Sequence, residues 1–261
     1  MNLCRDSLFQ LSGMSYKDAG AYLKYSSSIV VPLGGLEPVG PFGALGVVTG
    51  CVEAVTSVFC NTHQILLAPV VNFSCSKPYK SFEGSAGVTP NTFCNILVEI
   101  CSDWIFQGFN KILIVNPSRF NDEALSIATK RLNVKKEYVR VVHFHKYLDA
   151  ALESVDGQGG KRDIGNFGRG ILSLAAYFKP ELIRENYSLE NTFSNNEKSY
   201  TMWYRRGRDP QKFRKMFPEA ALSGTVSQYN ASLGKNISDY IVNLLEKEHL
   251  NFMIDTHNAA S

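Results

Sequence analysis

The chain has 261 residues, 44% of them hydrophobic and 20% charged, with 27 Lys+Arg against 24 Asp+Glu. At roughly 100 to 200 residues per domain this is one large domain or two small ones, with enough core to exclude a disulfide mini-protein, a disordered tail and a coiled coil. A net charge of +3 announces no nucleic-acid or anionic-membrane partner, because such binding needs a clustered basic field. In chain order, Ser28 to Leu33 is a β-branched run broken by Pro32 and Gly34-Gly35, a first buried strand opening onto a glycine loop. Gly50 to Thr62 has helical spacing through Val52, Val55, Val58 and Phe59, and Gln64 to Val71 is a second buried strand. A loop rich in Ser, Gly and Pro follows. Asn91 to Phe106 is predicted helical from Phe93, Ile96, Leu97, Ile100, Cys101, Trp104 and Ile105, capped by Asn91 or Thr92 and closed by Gly108.

Lys111 to Val115 is the third strand, Asn121 to Leu132 a helix, and Val139 to His145 the fourth strand. Strand and helix in this alternation predict an α/β fold with a mostly parallel sheet covered on both faces. Further on, Gly157 to Gly160 is a flexible turn, Gly170 to Tyr177 an apolar helix stopped before Pro180, and Ile237 to Leu250 an amphipathic helix. Residues 198–215 carry Lys198, Arg205, Arg206, Arg208, Lys212, Arg214 and Lys215 among Trp203, Tyr204 and Phe213, a pattern that could grip phosphates while its aromatics stack bases. A short run in a nearly neutral chain fits a solvated excursion or an oligomer contact better, so nucleic acid ranks last among the partners. No linker divides the sequence, and residues 1–261 are expected to form a single domain.

Residues 1–12 hold Arg5 and Asp6 and only a short apolar stretch, Leu8 to Leu11, so no signal-peptide core is visible. No window approaches the roughly 18 to 20 apolar residues of a membrane span. A cytoplasmic location without membrane attachment is expected. Cys4, Cys51, Cys60, Cys75, Cys94 and Cys101 form no C-x-x-C pair and read as buried free thiols.

The loop after the first strand, Leu33-Gly-Gly-Leu-Glu-Pro-Val-Gly-Pro-Phe-Gly-Ala-Leu-Gly-Val-Val-Thr49, resembles the opening motif of the creatininase (creatinine amidohydrolase) family, in which Leu-Pro-Val/Leu-Gly leads to Glu-x-His-Gly-Pro-His and then an Asp. Other pieces follow in order: Ala68-Pro69; Ser76, Phe82 and Gly84 in a segment similar to Ser-x-Glu-His-x-x-Phe-Pro-Gly-Thr; Gly108-Phe109 before Val115-Asn116; and Asp163 to Gly170 where the family has His-Ala-Gly-Glu-x-Glu-Thr-Ser. Pro180-Glu181-Leu182, Gly224-Thr-Val, Ala231-Ser and Gly234-Lys235 complete the series. The resemblance covers nearly the whole chain and implies a creatininase-like three-layer sandwich with a mostly parallel central sheet. It also implies a homo-oligomer, commonly a hexamer.

The resemblance further implies a centre of two divalent metals, held by Glu and His of the first motif, the Asp that follows, the His of Asn-Gly-His-Gly-Gly-Asn and a Glu of the late motif. Here Glu37 matches, but Val39 and Val48 stand at the His and Asp positions. Ser118 stands for the next His within Asn116-Pro-Ser-Arg-Phe-Asn121, and Asn166 and Gly168 stand for the late glutamates. A catalytic zinc needs about three imidazole, thiolate or carboxylate ligands, and valine supplies none. A Glu37 left beside apolar replacements would go neutral or need a partner such as Arg119.

His143 and His145, two apart at the end of a strand, are predicted to face one way at the carboxyl edge where open sheets place ligands. With Asp163 and Glu37 they form the candidate catalytic set, as a general acid/base pair or as ligands of a rebuilt site. Cys75 is a candidate nucleophile or ligand contact, and Tyr79, Ser118 and Arg119 are candidate contacts to a small molecule. His63, His249 and His257 fall on helix ends or the tail, where a surface role is expected. Three functions follow. The leading one is a family member without the dinuclear centre and with no cofactor. It acts on a small amide or cyclic metabolite, or serves as a non-catalytic binding or assembly subunit, alone or with an intact paralogue. The alternative is an amidohydrolase with zinc or manganese at a rebuilt site, and the third is a nucleic-acid-binding module.

Overall fold

The computed structural model describes residues 9–156, 168–184, 209–218 and 229–254. Four parallel strands, β1 (Ser28–Pro32), β2 (Leu66–Leu67), β3 (Lys111–Asn116) and β4 (Val139–His143), lie in the order β2-β1-β3-β4. Parallel pairing needs a crossover between neighbours, and the helices supply it: α1 (Tyr16–Tyr22) precedes β1, α2 (Val47–His63) joins β1 to β2, α3 (Pro90–Gln107) joins β2 to β3, and α4 (Asp122–Leu132) joins β3 to β4. After β4 come α5 (Phe144–Asp156), α6 (Arg169–Phe178), α7 (Pro210–Met216) and α8 (Ala231–Ile254).

The layers follow from the period-2 alternation of strand side chains. Ile29, Val31, Ile112, Ile114 and Val139 point to one face, where Tyr22, Phe93, Leu97, Ala124, Leu125 and Ala128 of α1, α3 and α4 bury them. Val30, Leu113, Val115 and Val142 point to the other, against Val52, Val55 and Phe59 of α2, Leu148 and Leu152 of α5, Ile171 of α6 and Ile241 of α8. Every residue of β1 and β3 is buried, as expected for strands covered on both sides. The structure is therefore the expected three-layer α/β sandwich with a parallel sheet.

Three sequence-based boundaries change. The second strand shrinks to two residues, because Gln64 adopts the left-handed conformation that closes α2 (φ 55°) and Pro69 has no N–H to donate. A single bridge from Leu33 to Val71 continues the edge. The cap of α3 is Thr89, whose side chain accepts from the Thr92 N–H at 3.2 Å, with Pro90 in the first turn, where no N–H is needed. Most consequentially, β4 ends at His143 and helix α5 starts at Phe144, so His145 lies on a helix. Phe144, Leu148, Ala151 and Leu152 are all buried at helical spacing, and that face outweighs the β-branched run before it. Among the described residues no helix is long and apolar enough to cross a membrane.

Candidate functional site

In an open parallel sheet the loops leaving the carboxyl ends of the strands form the ligand crevice, and here three strands deliver polar side chains to that edge. The loop after β1 is pinned to α2 by one hydroxyl: Thr49 Oγ1 donates to the Gly35 carbonyl at 3.0 Å and accepts from the Gly35 N–H at 2.9 Å. A Cβ on Gly34 would fall 2.5 Å from that oxygen, so the approach requires glycine. The same loop brings Glu37 inside, 2% exposed, with its backbone N–H donated to the Leu45 carbonyl at 3.2 Å.

β3 and β4 end side by side, with Asn116 in register with His143. Asn116 is fully buried and organises the loop to α4. Its Oδ1 accepts from the Ser118 N–H at 3.2 Å and from Asn121 Nδ2 at 3.0 Å, and its Nδ2 donates to Asp122 Oδ1 at 3.1 Å. Asn121 passes the network on, accepting the Cys75 N–H at 2.9 Å. Asp122 Oδ1 also lies 3.3 Å from His143 Nδ1, an electrostatic contact that is not aligned as a hydrogen bond. The rings of His143 and His145 meet edge to face, with centroids 5.5 Å apart.

The two histidines therefore come together, but by a strand end and the first turn of a helix rather than by strand alternation. Their surroundings differ. His143 keeps 29% of its side chain exposed, whereas His145 is 7% exposed. Burial, followed by the positive charge of Arg119, pushes the His145 pKa down to about 3, against a smaller opposing effect of Asp122. His145 is thus a neutral imidazole at physiological pH.

The remaining candidates take several positions. Cys75 is buried, and burial together with the negative charges of Glu123 and Glu37 pushes its thiol up to about 12. It is protonated at neutral pH and is no thiolate nucleophile. Tyr79 is fully buried, with ring contacts to Phe120 at 5.5 Å, Phe213 at 5.7 Å and Phe82 at 6.2 Å. Ser118 lies at the edge itself, its hydroxyl buried with no hydrogen-bond partner among the described residues, as is that of Ser74. Arg119 is half-exposed and lies 3.6 Å from Asp149 of α5. Asp163, residues 157–160 and residues 198–208 lie outside the described residues.

Of the basic segment, Phe213 is fully buried and so is not available to stack a base. Arg214 donates to the Ser81 carbonyl and to Glu83, and covers the Phe82 ring at 4.3 Å. His249, expected at a surface, is half-buried against Ser28.

The network contains three side chains that the sequence reading left out, Asp122 and the carboxamides of Asn116 and Asn121. A signal for Asn116 was present, since a polar residue ending an otherwise apolar strand must find partners at the sheet edge. Asp122 looked like an ordinary first-turn acid, which the helix dipole favours wherever it occurs.

The metal ligands implied by the resemblance do not fit the residues found here. Val39 and Val48 are buried in the apolar cluster with Phe42, Val47, Val52 and Phe82, and Gly43 is so close that a Cβ would touch Val39 at 3.2 Å. Among the described residues no three His, Cys, Asp or Glu side chains converge closely enough to hold a metal ion.

Comparison with known proteins places this arrangement. A solved creatinine amidohydrolase (creatininase) superposes with a TM-score of 0.70 at 16% identity, over 94% of this chain and 98% of its own. A mutant creatininase of the Zn-Zn type gives the same four figures. A protein assigned as a creatinine amidohydrolase from Bacteroides fragilis gives 0.68 at 15% identity, over 97% of each chain. Identities this low establish a shared fold. No curated protein matches the sequence. The family model for creatininase, creatinine amidohydrolase, matches residues 12–248, and the chain therefore belongs to the creatininase family.

Proposed function

We propose that this chain is a creatininase-family protein that works without the dinuclear metal centre. Its carboxyl edge holds a small polar ligand, and it acts on the C–N bond of a small amide or cyclic metabolite, or serves as a binding or assembly subunit. The observation that carries this reading is the fate of the metal positions: Val39 and Val48 are built into the apolar core, while the polar groups of the same edge are joined to one another through Asn116. Burying two valines where charged ligands would sit removes donors and lowers the local dielectric, so restoring an ion there would require an uncompensated charge in an apolar pocket. A cytoplasmic homo-oligomer, or a hetero-oligomer with an intact paralogue, completes the proposal.

Elemental analysis of the purified full-length protein is the test. The expected result is less than about 0.1 equivalent of zinc, manganese or iron per chain, with unchanged thermal stability after chelation. About one equivalent or more that disappears in a His143→Ala/His145→Ala double variant would instead establish the second reading, a rebuilt metal site. That reading is favoured by one observation, the 5.5 Å approach of the two imidazoles. Its remaining ligands would be Glu37 and Asp163.

A further inference from the structure

The geometry of this edge points to a division of labour: His143 transfers the proton, Asp122 and Asn116 aim it, and His145 donates a hydrogen bond to the same ligand, a small open or cyclic amide. The inference rests on the metal-independent reading above and specifies its chemistry.

Asp122 is where the argument starts. A carboxylate can only accept, so of the two ring nitrogens the one that faces it at 3.3 Å, Nδ1, is the one placed to carry the hydrogen. The proton on Nδ1 leaves Nε2 of His143 with a lone pair, and the ring is exposed enough to meet a ligand. Asp122 is itself fixed, because Asn116 Nδ2 donates to the same Oδ1 at 3.1 Å. Asn116 has no freedom of its own, being fully buried with Ser118 and Asn121 on its other end. Contacts between catalytic groups are often long without ligand and tighten when the site fills, which accounts for the imperfect alignment at His143.

His145 supplies the second part. It is packed against the His143 ring, and its buried Nδ1 has no hydrogen-bond partner among the described residues. A buried polar atom without a partner is uncommon and marks a place where a ligand or water belongs. The charged and titratable groups that act on it are Arg119, Asp122, His143 and Lys146. Burial and the Arg119 charge hold His145 neutral, so it is suited to donate to a carbonyl oxygen rather than to exchange a proton with it.

The step closes without a cofactor. A water molecule gives a proton to Nε2 of His143 while its oxygen bonds to the amide carbon, and the carbonyl π pair moves onto oxygen, which accepts from His145. The carbonyl then re-forms as the C–N bond breaks, and the departing nitrogen takes the proton from Nε2. One water is consumed, the acid and the N–H group form as two molecules from an open amide or as one ring-opened molecule from a cyclic one, and His143 returns to its starting form. Neither an oxidant nor a reductant is needed. Asp122 and Asn116 are positioning residues; His143 and His145 are the groups that touch the ligand.

Two measurements on the full-length protein test this. Long-range 15N spectra of the histidine rings are expected to show His143 with its proton on Nδ1, moving to Nε2 in Asp122→Asn. Hydrolysis of hydantoin and creatinine in the presence of a chelator is expected to fall by about 100-fold or more in His143→Gln. In Asp122→Asn the fall is about 10-fold or more, with a displaced pH profile, whereas His145→Gln lowers kcat with little change in KM. Both Asp122 and His143 are partly exposed, so these variants are expected to fold, and unchanged circular dichroism verifies that they do. The inference is overturned if wild-type His143 carries its proton on Nε2, if His143→Gln keeps full activity, or if the wild type opens neither ring. Failure of the metal-independent reading looks different: activity that a chelator abolishes and zinc or manganese restores, with the His143 tautomer as expected.

Discussion

The two edges of the sheet each bury histidine, hydroxyl and charged groups, yet they treat them differently. At the amino edge, Lys111 is 4% exposed, donates to the Phe252 carbonyl and lies 4.3 Å from the centre of the Phe252 ring. Arg140 donates to Glu137 at 2.9 Å and to Glu248 at 3.5 Å, and His249 Nε2 lies 3.0 Å from Ser28 Oγ. Tyr22 closes the same edge, donating to the Ser28 carbonyl at 2.8 Å and accepting the Leu66 N–H at 3.2 Å. These partners weld the end of α8 to the start of β1 and β3. At the carboxyl edge, by contrast, the hydroxyls of Ser74 and Ser118 and Nδ1 of His145 have no hydrogen-bond partner among the described residues. An orphaned buried polar group costs about 1 to 3 kcal/mol. Such a cost is concentrated where a protein binds something, and avoided where it only has to hold together.

The contrast can be broken in four ways, taken from the largest effect down. Gly234→Ala attacks the seating of α8 itself: its Cβ would lie 1.9 Å from the Ser173 carbonyl oxygen of α6. The expected loss is about 3 kcal/mol, read as a fall in Tm of roughly 6 to 12 °C. A substitution tolerated without loss would show that the two helices are not locked as described.

Lys111→Ala removes the buried ammonium from Phe252 and is expected to cost about 2 to 3 kcal/mol in urea unfolding. Lys111→Met should recover part of that loss, because an apolar chain fills the same space without a charge to desolvate. Equal losses in the two variants would mean that the ammonium and its hydrogen bond, and not packing, are what the site requires.

The acid limb of stability gives the third test. The folded-state pKa of His145 is pushed below the ordinary histidine value of 6.5 to about 3, and that of His249 is also lowered, by burial and then by the nearby His63 and Lys111 charges. The unfolded chain therefore binds more protons, so this contribution is fully present above pH 6.5 and is lost as pH falls from there towards 3. Between pH 7.5 and pH 5, His145→Gln is expected to lose roughly 1 to 2 kcal/mol less than the wild type in guanidinium melts. Parallel pH curves for the two proteins would show that His145 is not held neutral.

The smallest effect is the most discriminating. Ser28→Ala, at the amino edge, should destabilise by about 1 kcal/mol, whereas Ser118→Ala and Ser74→Ala should be neutral or stabilising by up to about 1 kcal/mol, because they delete hydroxyls that are buried without a partner. Three equal losses would remove the difference between the edges.

Much of the fold was legible in the chain. Residues 29–32 and 112–115 are continuously apolar, and the α3 segment carries a helical repeat, because burial on both faces or on one stripe must be written into consecutive residues. The end of β4 was misplaced: only His143 separates the β-branched stretch before it from the helical spacing that begins at Phe144, and either pattern accounts for His145. Both histidines were picked out, but the carboxylate beside them was not. The contact between Asp122 and His143 spans a helix and a strand and leaves no local periodicity.

The sequence by itself determined that this is a layered α/β chain of the creatininase type, with valine at two positions where the resemblance places ligands. Those facts depend on residue type and order. Only the tertiary structure decided which polar groups found partners: that Lys111 would meet the Phe252 carbonyl 141 residues away, that Asn116 would hold Asp122 against His143, and that His145 would be buried beside Arg119. The reason is physical. Apolar burial is non-directional and tolerates any neighbour of suitable size, whereas hydrogen bonds and charge contacts depend on a few tenths of an ångström and on angles that exist only once the strands and helices have met.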